Sequence, residues 1–183
     1  DKAPDWPVVL PANPLPEPDL ASATRHELTF NGGMMGAMVM QEMGGSMGDM
    51  GEDSSGAMDG MMGNMGGMMN MMHSSGIWFI NGVAAEGHIM DPMLTLARDK
   101  SHVIAMTNAT AWHHPIHLHG HSFRVMSRNG KPTRHREWQD TVLMSPRERA
   151  EIAFVANNPG DWMFHCHILE HQAAGMMGVF RVA

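Results

Sequence analysis

The run FHCHILEHQAAGMM, residues 164 to 177, constrains the fold more than any other part of the chain. In an extended strand alternate residues share a face, so His165 and His167 point one way while Cys166 points the other. One strand then addresses two sites at once. Cys166 is the only cysteine, so no internal disulfide is available and the residue is there for packing or for thiol chemistry. A lone buried cysteine is ordinarily a small core hydrophobe. Its neighbours point to ligation instead, because a trigonal His2Cys set with a weak methionine is an arrangement that holds copper. Cys166, His171 and Met176 supply three of those four groups.

The missing imidazole lies upstream, in HHPIHLHGHSF, residues 113 to 123, which holds five of the 13 histidines. His117 and His119 form a second i, i+2 pair that shares a strand face, and Pro115 restricts His114 to an extended conformation. Interleaving with Ile116, Leu118 and Phe123 argues against a surface histidine tract.

The paired motifs H-P-I-H-L-H-G and H-C-H-x3-H-x4-M closely resemble the carboxy-terminal copper signatures of multicopper oxidases, the laccase and copper-resistance group. The text DTVLMSPRERAEIAFVANNPGDWMFHCHILEHQAAGMMGVFRV is similar throughout, and the resemblance runs from about Gly76 to the end. It implies His114, Cys166 and His171 as type 1 copper ligands with Met176 axial, His117 for type 2 copper, and His119, His165 and His167 for the type 3 pair. It also implies reduction of O2 to two waters, with electrons entering at His171 and passing from Cys166 to His165 and His167. The family's trinuclear cluster takes eight histidines from four H-x-H motifs, and only two such motifs are present. The chain, at 183 residues, is one domain plus an extension where the common oxidases have three. The partners expected are therefore amino-terminal cupredoxin domains of the same protein, a second chain, or symmetry copies. Gln172 stands where many bacterial relatives carry an acidic residue, which puts the proton route in doubt.

Short strand-like runs recur between turn signals: HELTF, GIWFING, SHVIAMTN, HSFRVMS, DTVLM, RAEIAFVA, DWMFHCHI and GVFRVA. Asn129-Gly130, within SRNGKP, suits a tight hairpin. Eight strands make an all-β, two-sheet Greek-key sandwich, the cupredoxin architecture that the resemblance also implies. Residues 1 to 20 hold six of the 11 prolines. The expected division is a proline-rich strap over 1–24, similar to the one joining the second and third domains of a long oxidase, and a cupredoxin-like domain over 25–183.

Between residues 32 and 76 lies a methionine- and glycine-rich insertion, with 15 of the 23 methionines falling from Met34 to Met72. Fixing each residue costs roughly 1–2 kcal/mol of backbone entropy and a buried methionine returns only about 1.5–3 kcal/mol. Most of the stretch is expected to stay mobile unless metal or the parent protein orders it. Thioethers are soft ligands that favour Cu(I), so Met61, Met62, Met65, Met68, Met69, Met71 and Met72 are candidates for a cuprous-ion relay, with His73 as a harder ligand. Similar insertions occur in copper-resistance-type oxidases near type 1 copper.

His26, His88, His102 and His135 stand alone in the sequence and are expected to be satisfied or solvated imidazoles, whereas His113 and His121 flank the copper motif and suit hydrogen bonding to ligands. The net charge is -7, and no basic cluster interleaves with aromatics, which argues against nucleic acid as a partner. No apolar run is long enough to span a membrane and no signal peptide is visible; the resemblance implies a periplasmic or otherwise exported protein. The expected function is the carboxy-terminal domain of an oxidase that takes electrons from Cu(I) or phenolic reductants. The alternative is a free-standing blue-copper electron-transfer or copper-buffering module.

Overall fold

A computed structural model describes residues 11–33, 43, 77–85 and 91–183. The seven relay methionines from Met61 to Met72, His73, His88 and the first ten residues of the strap lie outside the described residues.

Strands are numbered β1 to β12 in chain order. One sheet runs β2 (Trp78–Ile80), β1 (Thr24–Gly32), β4 (Ser101–Asn108), β10 (Arg149–Val155), β6 (Phe123–Arg128) and β7 (Lys131–Pro132), with β8 (Trp138–Gln139) also paired to β6. The other runs β3 (Leu94–Leu96), β12 (Met177–Val182), β11 (Gly160–Cys166), β5 (His114–Leu118) and β9 (Thr141–Met144). Both sheets are mixed, since β1 pairs parallel to β4 and β12 parallel to β3. This is a cupredoxin-type β-sandwich, as the sequence leads one to expect.

Alternation builds the sandwich. In β4 and β5 every second side chain is buried, and those inward residues face the inward residues of the opposite sheet. Phe30 of β1 stacks on Phe164 of β11 at 6.2 Å, and Phe164 on Phe180 of β12 at 4.6 Å, so three fully buried rings join the layers. Each contributes on the order of 1.5–3 kcal/mol by leaving water. The Asn-Gly turn forms as expected: Asn129 and Gly130 have φ of 49° and 74° between β6 and β7, the two left-handed residues that a tight hairpin of this kind needs.

Each of the eight segments read as strands carries one, and the histidine run read as extended carries β5, which ends at Leu118, one residue before His119. The structure adds the short β3, β7 and β8, and corrects one boundary: β11 ends at Cys166, so His167 and Ile168 lie beyond it. The chain then turns into one short helix, α1 (Leu169–Ala173), which the sequence reading did not anticipate. Residues 11–23 form no strand or helix. They are tied to the sandwich by an ion pair between Glu17 and Arg124 and by the Asp19 N–H, which donates to Ser101 Oγ at 2.8 Å.

Candidate metal centre

β5 and β11 are neighbours, with His165 opposite His117 and Cys166 opposite Ile116. Alternation along β11 therefore sends the thiol to one side and an imidazole to the other. Cys166 Sγ, fully buried, lies 3.6 Å from His114 Nδ1 and 3.7 Å from His171 Nδ1, and those two nitrogens are 3.1 Å apart. Among the described residues this is the group of histidine, cysteine or carboxylate side chains close enough to share one metal ion.

Three elements bring the donors together. β5 supplies His114, β11 supplies Cys166, and α1 swings His171 back over the thiol. The return from α1 requires Gly175, whose φ is 117° and where a Cβ would lie 2.4 Å from the Trp78 carbonyl oxygen. Beyond it the Met176 N–H donates to His171 O at 3.0 Å, and the Cys166 N–H donates to Met176 O at 3.1 Å. The Met176 backbone is thus clasped to two of the three donors, and its side chain is fully buried.

Trp78, itself buried, packs against both histidine rings, with centroids 5.0 Å from His114 and 4.4 Å from His171. Trp112 stands edge-on to His171 at 6.4 Å and is half exposed. His171 is only partly buried.

On the opposite side of β11 four more imidazoles converge. His119 Nε2 is 3.0 Å from His165 Nε2, and ring centroids lie 4.7 Å apart for His117 and His119, 5.6 Å for His117 and His167, and 5.7 Å for His165 and His167. His165 Nδ1 lies 2.9 Å from the Cys166 carbonyl oxygen, and His117 Nδ1 lies 2.9 Å from both Asp140 O and Thr141 Oγ1. Nε2 is the nitrogen each of these two rings has left for a ligand.

Burial favours the neutral form of four of these imidazoles, His114, His171, His119 and His165. Burial, reinforced by His171 and His113, holds His114 down at about 3. Burial also lowers His171 against the opposing Glu170 charge, and lowers His119 and His165, where neighbouring histidines add to it. Cys166 is pushed up by burial, only partly offset by the Ile168 N–H. The neutral form of those four rings offers a lone pair to a ligand, and a metal ion binding at Cys166 displaces the thiol proton. A soft thiolate with two borderline imidazoles is a donor set that fits copper.

The remaining histidines sort differently. His26 and His102, read as isolated, pair with each other, Nε2 to Nδ1 at 3.1 Å, and His102 Nε2 lies 3.1 Å from Ala97 O. They are satisfied, though by a partner that sequence spacing does not reveal. His121 sits behind the imidazole group, with Nδ1 3.4 Å from His119 O, and accepts the Asn158 N–H at 3.4 Å. Trp78, Trp112 and Thr110 went unnoticed in the sequence. Thr110 Oγ1 is 2.8 Å from His114 Nε2, and only its place four residues before that histidine hinted at contact.

A cupredoxin-type sandwich with a buried His2Cys cluster backed by four further imidazoles is the architecture of a copper protein. The family model described as multicopper oxidase matches residues 61–183, and the chain belongs to that family. Membership implies copper as cofactor. Multicopper oxidase MmcO of Mycobacterium tuberculosis is 37% identical over 99 residues, 54% of this chain and 18% of that protein. The crystal structure of a multi-copper oxidase from Pseudomonas thermotolerans superposes with a TM-score of 0.70 at 28% identity, covering 98% of this chain and 34% of that one. A multicopper oxidase from Campylobacter jejuni, described as a metallo-oxidase, gives a TM-score of 0.65 at 26% identity over 96% of this chain and 33% of its own. The chain thus spans about a third of these solved oxidases. No helix among the described residues is long and apolar enough to cross a membrane.

Proposed function

We propose that this chain is the carboxy-terminal copper-binding domain of a multicopper oxidase that takes electrons from Cu(I) or phenolic reductants and reduces O2 to water at a trinuclear cluster completed by another domain or chain. The observation that carries the proposal is the two-sided β11, with Cys166 Sγ within 3.7 Å of His114 and His171 Nδ1 on one face and His165 Nε2 3.0 Å from His119 Nε2 on the other. His114, Cys166 and His171 would hold type 1 copper with Met176 as a weak fourth ligand, His117 would hold type 2 copper, and His119, His165 and His167 the type 3 pair. When bound, copper supplies one-electron exchange with the reductant and the four-electron reduction of O2.

The rest falls to the protein. The peptide joins Cys166 to His165 and His167 directly, and the contact of His165 Nδ1 with Cys166 O adds a second link between the two groups. His171, the partly buried donor, is the one a reductant would approach, while Trp78 packs against both histidine rings.

Residues 1–24 act as an interdomain strap and 25–183 as the cupredoxin-like domain, with 32–76 as an insertion. The Gly33 N–H donates to Ile77 O at 3.0 Å, and a Cβ on Gly33 would touch both Trp78 and Trp112. Both junctions of the methionine-rich segment therefore stand beside the rings that pack on His171, which favours Cu(I) delivery there. The metallo-oxidase likeness supports the same reductant class. The four-histidine group is half of the eight that the resemblance implies for the trinuclear cluster, which supports a completing domain, chain or symmetry copy; a periplasmic or otherwise exported location is proposed from the family resemblance alone.

Replacing Cys166 with Ser tests the assignment. The unaltered chain loaded with Cu(II) develops intense thiolate-to-copper visible absorption, and C166S does not. Persistent colour in C166S removes Cys166 from the ligand set.

A further inference from the structure

Asn108, Thr110 and His114 are all fully buried, so each polar atom among them must find a partner. Asn108 ends β4 and its Nδ2 faces carbonyls, donating to Trp112 O at 2.8 Å and Ser145 O at 2.9 Å, with Met144 O farther off at 3.3 Å. That orientation fixes Oδ1 on the other side. There it accepts the Thr110 N–H at 3.1 Å and the Thr110 hydroxyl at 2.7 Å.

A threonine hydroxyl has one hydrogen and two lone pairs. Were that hydrogen turned toward His114, Oγ1 would meet Asn108 Oδ1 lone pair to lone pair at 2.7 Å. Trp112 O, at 3.2 Å, is the longer alternative for the hydrogen, and that choice too leaves Oγ1 an acceptor toward the ring. One lone pair takes the Trp112 N–H at 3.1 Å. The other faces His114 Nε2 at 2.8 Å, so Nε2 must carry the ring proton. A neutral imidazole protonated at Nε2 is bare at Nδ1, and Nδ1 is the atom that faces Cys166 and His171.

We infer that Thr110, oriented by Asn108, is the positioning residue that fixes the tautomer and plane of His114 so that its Nδ1 lone pair is presented to the metal before any metal arrives. The inference rests on the proposed copper site of His114, Cys166 and His171. Anchorage comes from outside the site, because the Asn108 N–H donates to Glu148 O at 2.8 Å in the turn between β9 and β10. Partners of this kind raise the affinity of the ligand they orient, and their loss costs typically about 10–100-fold in metal binding.

The test uses the 183-residue chain with T110V and T110S variants. Nitrogen-15 NMR of the metal-free proteins reads which His114 nitrogen is protonated, and titration with copper alone reads affinity and the visible band. The expected result is an Nε2-protonated ring in the unaltered chain and in T110S, a mixture of tautomers in T110V, and copper affinity about 10–100-fold lower in T110V with recovery in T110S. A ring protonated at Nδ1 in the unaltered chain overturns the inference, even if T110V fails to fold. So does a folded T110V that binds copper as tightly as the unaltered chain. Failure of the copper-site proposal looks different: Cu(II) binds without the thiolate band while the tautomer stays as stated.

Discussion

Gly120 follows the last histidine of the H-P-I-H-L-H motif and turns the chain at φ 71° against the face of Trp162. A Cβ placed there would lie 2.4 Å from two ring carbons of that indole. The ring cannot swing away freely, because Trp162 Nε1 donates to Asn158 O at 2.8 Å and the indole meets the His121 ring in a T-shaped contact at 5.9 Å. Three contributions set the cost of Gly120→Ala. A left-handed alanine costs about 1–2 kcal/mol, overpacking adds about 1–3 kcal/mol, and the stiffer unfolded chain returns about 0.4–1 kcal/mol. The net loss centres on about 3 kcal/mol, or roughly 6–12 °C in melting temperature for a chain of this size. Gly130→Ala is the control, since φ there is 74° but nothing lies within 4 Å of the new Cβ. It carries the conformational cost alone, about 0–1.5 kcal/mol. Thermal and urea denaturation of both variants, with imidazole NMR as a local probe, measures the difference. G120A should be the less stable by about 1–3 kcal/mol and should shift the His119 and His121 signals, while G130A leaves them in place. Equal losses in the two variants would refute the clash with Trp162.

Glu148→Gln should destabilise the fold by about 1–3 kcal/mol at neutral pH, because the buried carboxylate accepts Arg128 Nη1–H and the Ser145 N–H, both at 2.7 Å. Burial works to raise this carboxyl, but those partners outweigh it and hold it below the ordinary 4.5, so its contribution is present above about pH 4.5 and is lost as pH falls through the lowered folded value; urea midpoints of the two proteins should draw together as pH falls below 4.5. Deleting residues 34 to 72 from the complete oxidase should strongly slow Cu(I) oxidation and leave a bulky phenol unchanged or faster, and equal losses for both donors would leave the insertion only a structural role. The isolated chain, as a verified monomer, should show no substantial O2 reduction, and turnover by that monomer would overturn the need for a completing partner.

Legibility in the sequence followed the range of the interactions involved. SHVIAMTN could be read as a strand from end to end, because alternation alone builds β4. The two faces of β11 were readable for the same reason, since His165 and Cys166 must part whenever the backbone is extended. His171 was recognisable as a donor by its motif, yet the helix carrying it was not. α1 has no side-chain cap and buries no residue, so neither periodicity nor capping announces it. Its geometry is set by Trp78, whose carbonyl crowds Gly175 and whose N–H donates to Ala174 O at 3.0 Å, a tertiary contact that joins the local return bond from Met176 to His171 O. Thr110 was hidden for a related reason: a threonine between Ala109 and Ala111 has no pattern, and its value comes from Asn108, Trp112 and His114 folding around one hydroxyl.

The hydrogen bond from Gly33 to Ile77 has a further consequence for how such a domain can change. β1 and β2 are paired from Phe30 opposite Ile80 to Gly32 opposite Trp78, so the two chain ends that flank the insertion are adjacent and already held together. Lengthening a flexible connection between fixed ends costs little, about 0.6 kcal/mol for each doubling. Methionine-glycine units can therefore be gained or lost by slippage or recombination without a change in register, core or ligand spacing. The length of the proposed cuprous-ion relay and the stability of the fold are then separately adjustable quantities within one polypeptide.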